Sequence, residues 1–163
     1  MPDTDFIKKS LRILHLEDNP KDAKLIQAIL EADGLTCDIT RVQTRDEFDS
    51  AVTRGGWDLI LSDFALPAFD GLLALALVRE KSPDLPFILI SGTVGEEIAV
   101  TSLHQGATDY LLKQRLERLP SSVRRAISEA RDRADRKSAE EAQRQAEQKY
   151  RSIFERSIEG IFR

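Results

Sequence analysis

The sequence predicts an open α/β sandwich, a parallel sheet with helices on both faces. Short apolar segments alternate five times with longer segments whose apolar residues recur at helical spacing, and this rhythm is typical of βα units. Residues 59–61 and 87–90 are continuously apolar, as expected for strands that are buried on both faces. The pattern alone does not determine the order of the strands in the sheet.

The predicted strands are the short apolar segments that end at a polar residue or a turn. They cover residues 11–16, 37–42, 59–61, 87–90 and 110–112. The second of them alternates apolar and polar residues, which indicates a strand with one exposed face. The first segment is rich in apolar residues, and the fifth is short and ends at Lys113.

Local signals mark where the intervening helices begin and end. Either Asn19 or Asp18 can cap a helix that starts at Pro20, where a missing backbone N–H costs nothing. Residues 44–47 have the form of a capping box and open the second helix. The third and fourth helices are expected to begin near Gly71 and Gly95. The glycines that break or end helices stand at positions 34, 55, 56 and 106.

The composition changes after residue 119. Residues 120–148 are rich in Arg, Glu, Ala and Gln. This composition predicts a long helix with too few apolar residues for a globular core. Such a helix is either a solvated linker or a weak two-stranded coiled coil. Residues 149–163 are again richer in apolar side chains, which suggests the truncated start of a second domain. Residues 1–10 form an N-terminal tail that lacks the apolar centre of a secretory signal.

Composition excludes several classes of function. Hydrophobic residues make up 41% of the 163 and charged residues 32%, which fits a soluble globular chain. The net charge of −4 gives no reason to expect a nucleic-acid partner. No apolar run approaches the roughly 20 residues of a membrane helix. The lone Cys37 cannot form a disulfide framework, and we expect a reducing, cytoplasmic location.

The residues suited to chemistry stand where predicted strands end: Glu17, Asp18, Asp63, Ser91 and Lys113. In open α/β sheets ligands bind at this edge. Three carboxylates gathered there would repel one another unless a cation compensated them, and their oxygens suit Mg²⁺. Asp63 can then act as a nucleophile toward phosphorus and form an acyl phosphate. Mg²⁺, the Ser91 hydroxyl and the Lys113 ammonium would stabilise the transferring phosphoryl group.

These motifs resemble the receiver domain of two-component response regulators. The matching segments are residues 13–19, 58–67, 69–71, 86–92 and 106–113, and the resemblance extends over about residues 11–119. It implies a doubly wound, flavodoxin-like sheet in the order 2-1-3-4-5. It also implies that Asp18, Asp63 and the carbonyl of Ala65 hold Mg²⁺, with Glu17 acting through water. Tyr110 would be an aromatic switch, and Ser91 the hydroxyl that turns toward the phosphoryl group.

The resemblance also implies a function and partners. The domain would accept a phosphoryl group on Asp63 from a partner sensor histidine kinase or phosphotransfer protein, and would switch an output through its C-terminal helix. It would be a regulatory domain and not an enzyme acting on external substrates. Apart from the resemblance, the stripe of apolar residues at Val123, Ile127, Ala130 and Ala134 leads us to expect a homodimer through the C-terminal helix. Residues 150–162 resemble the opening of a PAS sensory domain.

One position departs from the receiver pattern. The family usually has proline after the lysine of the fifth strand, often with a cis bond, and this chain has Gln114. A cis bond before a non-proline residue costs about 2.5–4 kcal/mol, so a trans bond is expected. The departure keeps open an alternative function, a receiver-like docking module that is not phosphorylated.

Two other functions fit the sequence less well. An aspartate-nucleophile phosphatase would need a second acid to protonate the leaving group, but Ala65 stands at that position. A flavodoxin-like cofactor binder would place phosphate after the first strand, where Glu17 and Asp18 would repel it. His15 and His104 are predicted to be structural residues, because one lies within a strand and the other at a helix end.

Overall fold

The computed structural model of the chain describes residues 10–67, 69–93 and 95–161. It contains a five-stranded parallel sheet in the order β2-β1-β3-β4-β5, which confirms the predicted fold class and strand order. The strands are β1 Leu11–Leu16, β2 Cys37–Val42, β3 Leu59–Asp63, β4 Phe87–Ser91 and β5 Asp109–Leu112. The predicted N-terminal tail, apart from Ser10, lies outside the described residues.

Helices connect the strands and cover both faces of the sheet. They are α1 Pro20–Ala32, α2 Arg45–Arg54, α3 Gly71–Lys81, α4 Glu96–His104 and α5 Leu119–Ile161, with a 3-10 helix at Lys113–Arg118 between β5 and α5. The predicted caps are present: the Asn19 side chain accepts a hydrogen bond from the Lys21 N–H, and the Thr44 hydroxyl accepts one from the Glu47 N–H. No helix in the described ranges is both long enough and apolar enough to cross a membrane.

Successive strand residues point to opposite faces of the sheet and create two apolar layers. Ile13 belongs to a layer with residues of α1 and α5. Its neighbour Leu14 belongs to a second layer with residues of α2 and α3. β3 and β4 are buried along their whole length, so their carboxyl ends are fixed between the two layers.

The first turns of α5 belong to the core. Leu119, Val123, Ala126 and Ile127 are each at most 3% exposed and pack in the layer with α1. The expectation that the helix after residue 119 is too thinly apolar for a globular core is therefore wrong for these turns. Four apolar side chains at helical spacing are enough to cover one end of the sheet face. The first compact unit of the chain extends to Ser128.

The second compact unit begins at Glu129. Its described residues continue α5 to Ile161, and every side chain from residue 134 to residue 161 is exposed. The large apolar residues that are exposed in the described part of this unit are Tyr150, Ile153, Phe154, Ile158 and Ile161. Phe162, the last residue of the PAS-like motif, lies outside the described residues, as does Arg163.

Candidate functional site

The structure brings the five strand-end residues to one edge of the sheet. Glu17 and Asp18 directly follow β1, Asp63 is the last residue of β3, Ser91 is the last of β4, and Lys113 directly follows β5. All five strands are parallel, so their carboxyl ends lie at the same edge. This is the arrangement that the alternation of strands and helices predicts.

Glu17, Asp18 and Asp63 form an acidic cluster. One carboxylate oxygen from each residue can be chosen so that all three oxygens lie within 4.8 Å of one another. Glu17 is 1% exposed and Asp63 is 4% exposed, so two of the three carboxylates are largely removed from water. Three hard oxygen donors at this separation fit a small divalent cation such as Mg²⁺ better than a soft metal. Ala65 lies beside the cluster, because its N–H donates to Asp63 Oδ1 at 3.3 Å.

Lys113 provides the positive charge of the site. Its Nζ donates hydrogen bonds of 3.0 Å to Asp63 Oδ2 and to Asp22 Oδ2, and lies 3.7 Å from Glu17 Oε2. Burial alone would lower the pKa of Lys113. The hydrogen bonds to Asp22 and Asp63, together with the negative charges of Asp63 and Glu17, raise this pKa above its ordinary value. The ammonium form therefore persists throughout the physiological pH range.

The folded environment of Glu17 disfavours its ionisation. Burial, followed by the negative charge of Asp63, raises the pKa of Glu17 to about 7. The Asn19 N–H, which donates to Glu17 Oε1 at 3.0 Å, and the Lys113 charge oppose this rise. When no cation is bound, a fraction of the protein molecules therefore carries a proton on Glu17 near neutral pH.

Ser91 and Tyr110 both contact the loop between β4 and α4. The Ser91 hydroxyl lies 3.1 Å from the Thr93 hydroxyl and 3.3 Å from the Thr93 carbonyl oxygen, and its Oγ accepts the Thr93 N–H at 3.2 Å. The Tyr110 hydroxyl donates to the same Thr93 carbonyl at 3.2 Å. In this arrangement the Ser91 hydroxyl is bound to its own loop.

Gln114 lies in the 3-10 helix that follows β5 and contacts the loop that follows β4. Its Nε2 donates to the Gly92 carbonyl at 3.0 Å. No peptide bond among the described residues is cis, so the expected trans bond between Lys113 and Gln114 is confirmed. The residue at the usual proline position thus adds a side-chain hydrogen bond to the neighbouring loop.

Three residues near the site did not stand out in the sequence as site residues. Asp22 contacts Lys113 but looks like an ordinary acidic residue in the first turn of a helix. Thr93 precedes α4 without a recognisable motif. His15 was expected to be structural, and it is fully buried with both ring nitrogens unpartnered among the described residues. Burial, then the charges of Lys113 and Arg41, lower its pKa to about 4.

Comparison with known proteins assigns the first compact unit to a family. Residues 13–124 match the family model for the response regulator receiver domain. The chain is 33% identical over 113 residues to the transcription factor prr1 of Schizosaccharomyces pombe, covering 69% of this chain and 21% of that protein. It is 32% identical over 114 residues to the DNA-binding transcriptional regulator NtrC of Salmonella typhimurium, and this match covers 69% of this chain and 24% of NtrC. The chain thus spans about a fifth to a quarter of these relatives' lengths.

Solved structures show the same fold. The beryllofluoride-activated NtrC4 receiver domain dimer superposes with a TM-score of 0.66 at 28% identity, covering 73% of this chain and 98% of that chain. The receiver domain of the sensor histidine kinase PA1611 from Pseudomonas aeruginosa superposes with a TM-score of 0.64 at 28% identity, covering 74% of this chain and 99% of that chain. That structure has a magnesium ion coordinated in its active site cleft.

Proposed function

Because the chain belongs to the response regulator receiver domain family, we propose that Asp63 accepts a phosphoryl group from a phosphohistidine of a partner protein. Receiver domains are regulatory modules, so the acyl phosphate would serve as a signal and not as a step in the turnover of external substrates. The observation that carries the proposal is the environment of Asp63. Its carboxylate is 3.0 Å from the Lys113 ammonium and within 4.8 Å of carboxylate oxygens of Glu17 and Asp18.

The chemistry follows from this environment. A carboxylate oxygen of Asp63 would form a bond to phosphorus while the bond from phosphorus to the donor nitrogen breaks, and the electron pair of that bond leaves with the imidazole. Lys113 would neutralise charge on the phosphoryl oxygens. Glu17, Asp18, Asp63 and the Ala65 carbonyl would hold Mg²⁺. When bound, this ion supplies positive charge next to the transferring group.

A change of conformation would convert phosphorylation into a signal. We infer that the Ser91 hydroxyl leaves Thr93 and turns toward the phosphoryl group, and that Tyr110 then moves with the loop, since its hydroxyl bonds the same Thr93 carbonyl. The phosphoryl group would shift an equilibrium between two existing conformations. The output would pass through α5, whose first turns pack against the sheet.

The domain organisation and partners are part of the proposal. Residues 11–128 would form the receiver domain, since the first turns of α5 belong to its core. Residues 129–148 would form a helical linker, and residues 149–163 would begin a PAS-like domain. The phosphodonor would be a sensor histidine kinase or a phosphotransfer protein in the cytoplasm. A homodimer through α5 is supported by the exposed apolar side chains at Tyr150, Ile153 and Phe154.

Phosphorylation can be tested with the full chain. The protein is incubated with Mg²⁺ and a small phosphodonor such as phosphoramidate, and its intact mass is measured. We expect wild type to gain the mass of one phosphoryl group, Asp63→Asn to gain none, and the exposed control Asp46→Asn to behave as wild type. A wild type that gains no mass, with no response to beryllofluoride, would favour the docking-module function. A mass gain that persists in Asp63→Asn would show that another residue is the acceptor.

A further inference from the structure

Lys113 is shared between two carboxylates that come from different elements. The same Nζ atom donates to Asp22 Oδ2 and to Asp63 Oδ2, both at 3.0 Å. Asp22 belongs to α1 and stands 91 positions before Lys113 in the chain. The two carboxylates thus anchor the ammonium from the α1 side and from the end of β3.

The contact with Asp22 is better suited to positioning than to stability. Both side chains are partly accessible, 28% for Lys113 and 36% for Asp22, and ion pairs of this exposure add little to folding. A lysine side chain has a flexible four-carbon stem, so a single partner leaves its ammonium free to move. Two fixed acceptors restrict the ammonium much more strongly than one.

Phosphorylation changes only one of these two contacts. When Asp63 becomes an acyl phosphate, one of its oxygens is bonded to phosphorus and its negative charge passes to the phosphoryl oxygens. The contact between Lys113 and Asp63 must then rearrange. Asp22 takes no part in these bond changes, so its hydrogen bond with Lys113 could persist through them and keep the ammonium close to Asp63.

We propose that Asp22 is a positioning residue for phosphoryl transfer, because it holds the Lys113 ammonium at the site while Asp63 reacts. This inference rests on the proposed function and adds to the receiver motifs a residue that acts through Lys113. Asp22 binds the ammonium of Lys113 and would influence phosphoryl transfer through it. Its effect on the reaction therefore depends on the presence of the lysine.

The first test compares Asp22→Ala with Asp22→Asn in the full chain. An asparagine oxygen still accepts a hydrogen bond from the ammonium, whereas alanine cannot. With saturating Mg²⁺ and phosphoramidate, we expect Asp22→Ala to lower the rate constant for labelling Asp63 roughly tenfold and Asp22→Asn to retain most of the rate. Glu31→Gln, which removes a charge from the same helix about two and a half turns away, should label as wild type does. Thermal unfolding confirms that each variant is folded.

A double-mutant cycle tests whether Asp22 acts through Lys113. The Mg²⁺ affinity is measured by calorimetry for wild type, Asp22→Ala, Lys113→Ala and the double variant. Without Asp22, the ammonium is held by Asp63 and Glu17 alone and competes more strongly with Mg²⁺ for their carboxylate oxygens. Asp22→Ala should therefore weaken Mg²⁺ binding severalfold. In the Lys113→Ala background the same change should have a much smaller effect.

The outcomes separate this inference from the proposed function. Equal losses in Asp22→Ala and Asp22→Asn, a wild-type rate in Asp22→Ala, or equal effects on Mg²⁺ affinity in both backgrounds would overturn the positioning role. A wild type that is never labelled would overturn the proposed function instead. The Mg²⁺ cycle would still show whether Asp22 holds Lys113.

Discussion

The ammonium nitrogen of Lys113 lies 3.0 Å from Oδ2 of Asp63, although 50 positions separate the two residues in the chain. The contact joins the ends of β3 and β5, which are not neighbours in the sheet. It explains how three carboxylates can lie within 4.8 Å of one another, because one positive charge compensates part of their repulsion.

Replacing Lys113 with alanine should change metal binding and phosphorylation in opposite directions. The ammonium and a divalent cation compete for the same carboxylates, so Lys113→Ala should bind Mg²⁺ severalfold more tightly in a calorimetric titration. Labelling of Asp63 by phosphoramidate should be slower, since the phosphoryl oxygens lose a cationic partner. Lys81→Ala is the control, because Lys81 forms an ion pair with Asp49 outside the candidate site. Unchanged or weaker Mg²⁺ binding in Lys113→Ala would contradict the competition.

Replacing Glu17 with glutamine should increase stability at high pH. Glu17 ionises near pH 4.5 when unfolded and near 7 in the folded protein. Unfolding therefore releases a proton between these values, and the free energy of unfolding falls as the pH rises from 4.5 to 7. A glutamine side chain does not titrate, so the Glu17→Gln protein does not lose stability in this way. Urea unfolding with a chelator present should show Glu17→Gln to be more stable by about 1–2 kcal/mol at pH 8, allowing for solvent screening.

The Glu17 comparison has a control and a clear contradictory result. At pH 4 both proteins carry an uncharged side chain at position 17, so the difference between them should nearly vanish. Glu47→Gln removes a charge from an exposed capping box and should not produce a gain that grows with pH. A stability difference between wild type and Glu17→Gln that is independent of pH would rule out the raised pKa as its cause.

Replacing His15 with leucine should make the fold more resistant to acid. The unfolded His15 ring binds a proton near pH 6.5 and the folded ring near 4, so stability is lost as the pH falls between these values. From pH 8 to pH 5, wild type should lose about 2 kcal/mol more than His15→Leu in urea unfolding. The exposed residue His104 supplies the control His104→Gln. Parallel losses in wild type and His15→Leu would show that His15 is not the acid-sensitive group.

Replacing Gln114 with alanine should loosen the loop that follows β4. The lost hydrogen bond from Nε2 to the Gly92 carbonyl is worth about 1 kcal/mol, which corresponds to roughly fivefold faster local opening. Hydrogen exchange of the Gly92 and Thr93 amides should increase accordingly. Gln27→Ala, which removes a side-chain contact with Glu31 on α1, should leave these amides unchanged. Wild-type exchange in Gln114→Ala would show that the bond does not restrain the loop.

Replacing Gly71 with alanine should destabilise the turn between β3 and α3. A Cβ at this position would overlap with Leu89 Cδ1 and would lie 2.8 Å from the Asp63 carbonyl oxygen. Such overpacking costs about 1–3 kcal/mol, measurable by urea unfolding. Gly160→Ala is the matched control, because nothing lies within 4 Å of the added Cβ and alanine is the better helix former. A Gly71→Ala protein as stable as wild type would show that the turn can relax.

Much of the fold and the candidate site could be predicted because the relevant signals are local. Apolar strands that end in Asp63 and Ser91, and caps such as Asn19, are visible within a few residues. The role of α5 was harder to predict, because the sequence shows a sparse apolar stripe from Val123 onward but does not show that its first turns are buried. Whether that stripe is buried depends on a sheet face formed by distant segments.

The sequence by itself determined the parallel α/β architecture and the residues that stand at its strand ends. The periodicity of apolar residues specifies strands and helices, and parallel strands place their carboxyl ends together. Only the tertiary structure decided which charges meet there. It placed Asp22 and Asp63 on the same ammonium group and buried Glu17 enough to raise its pKa to about 7. These properties depend on distance and desolvation between segments far apart in the chain, which no local pattern encodes.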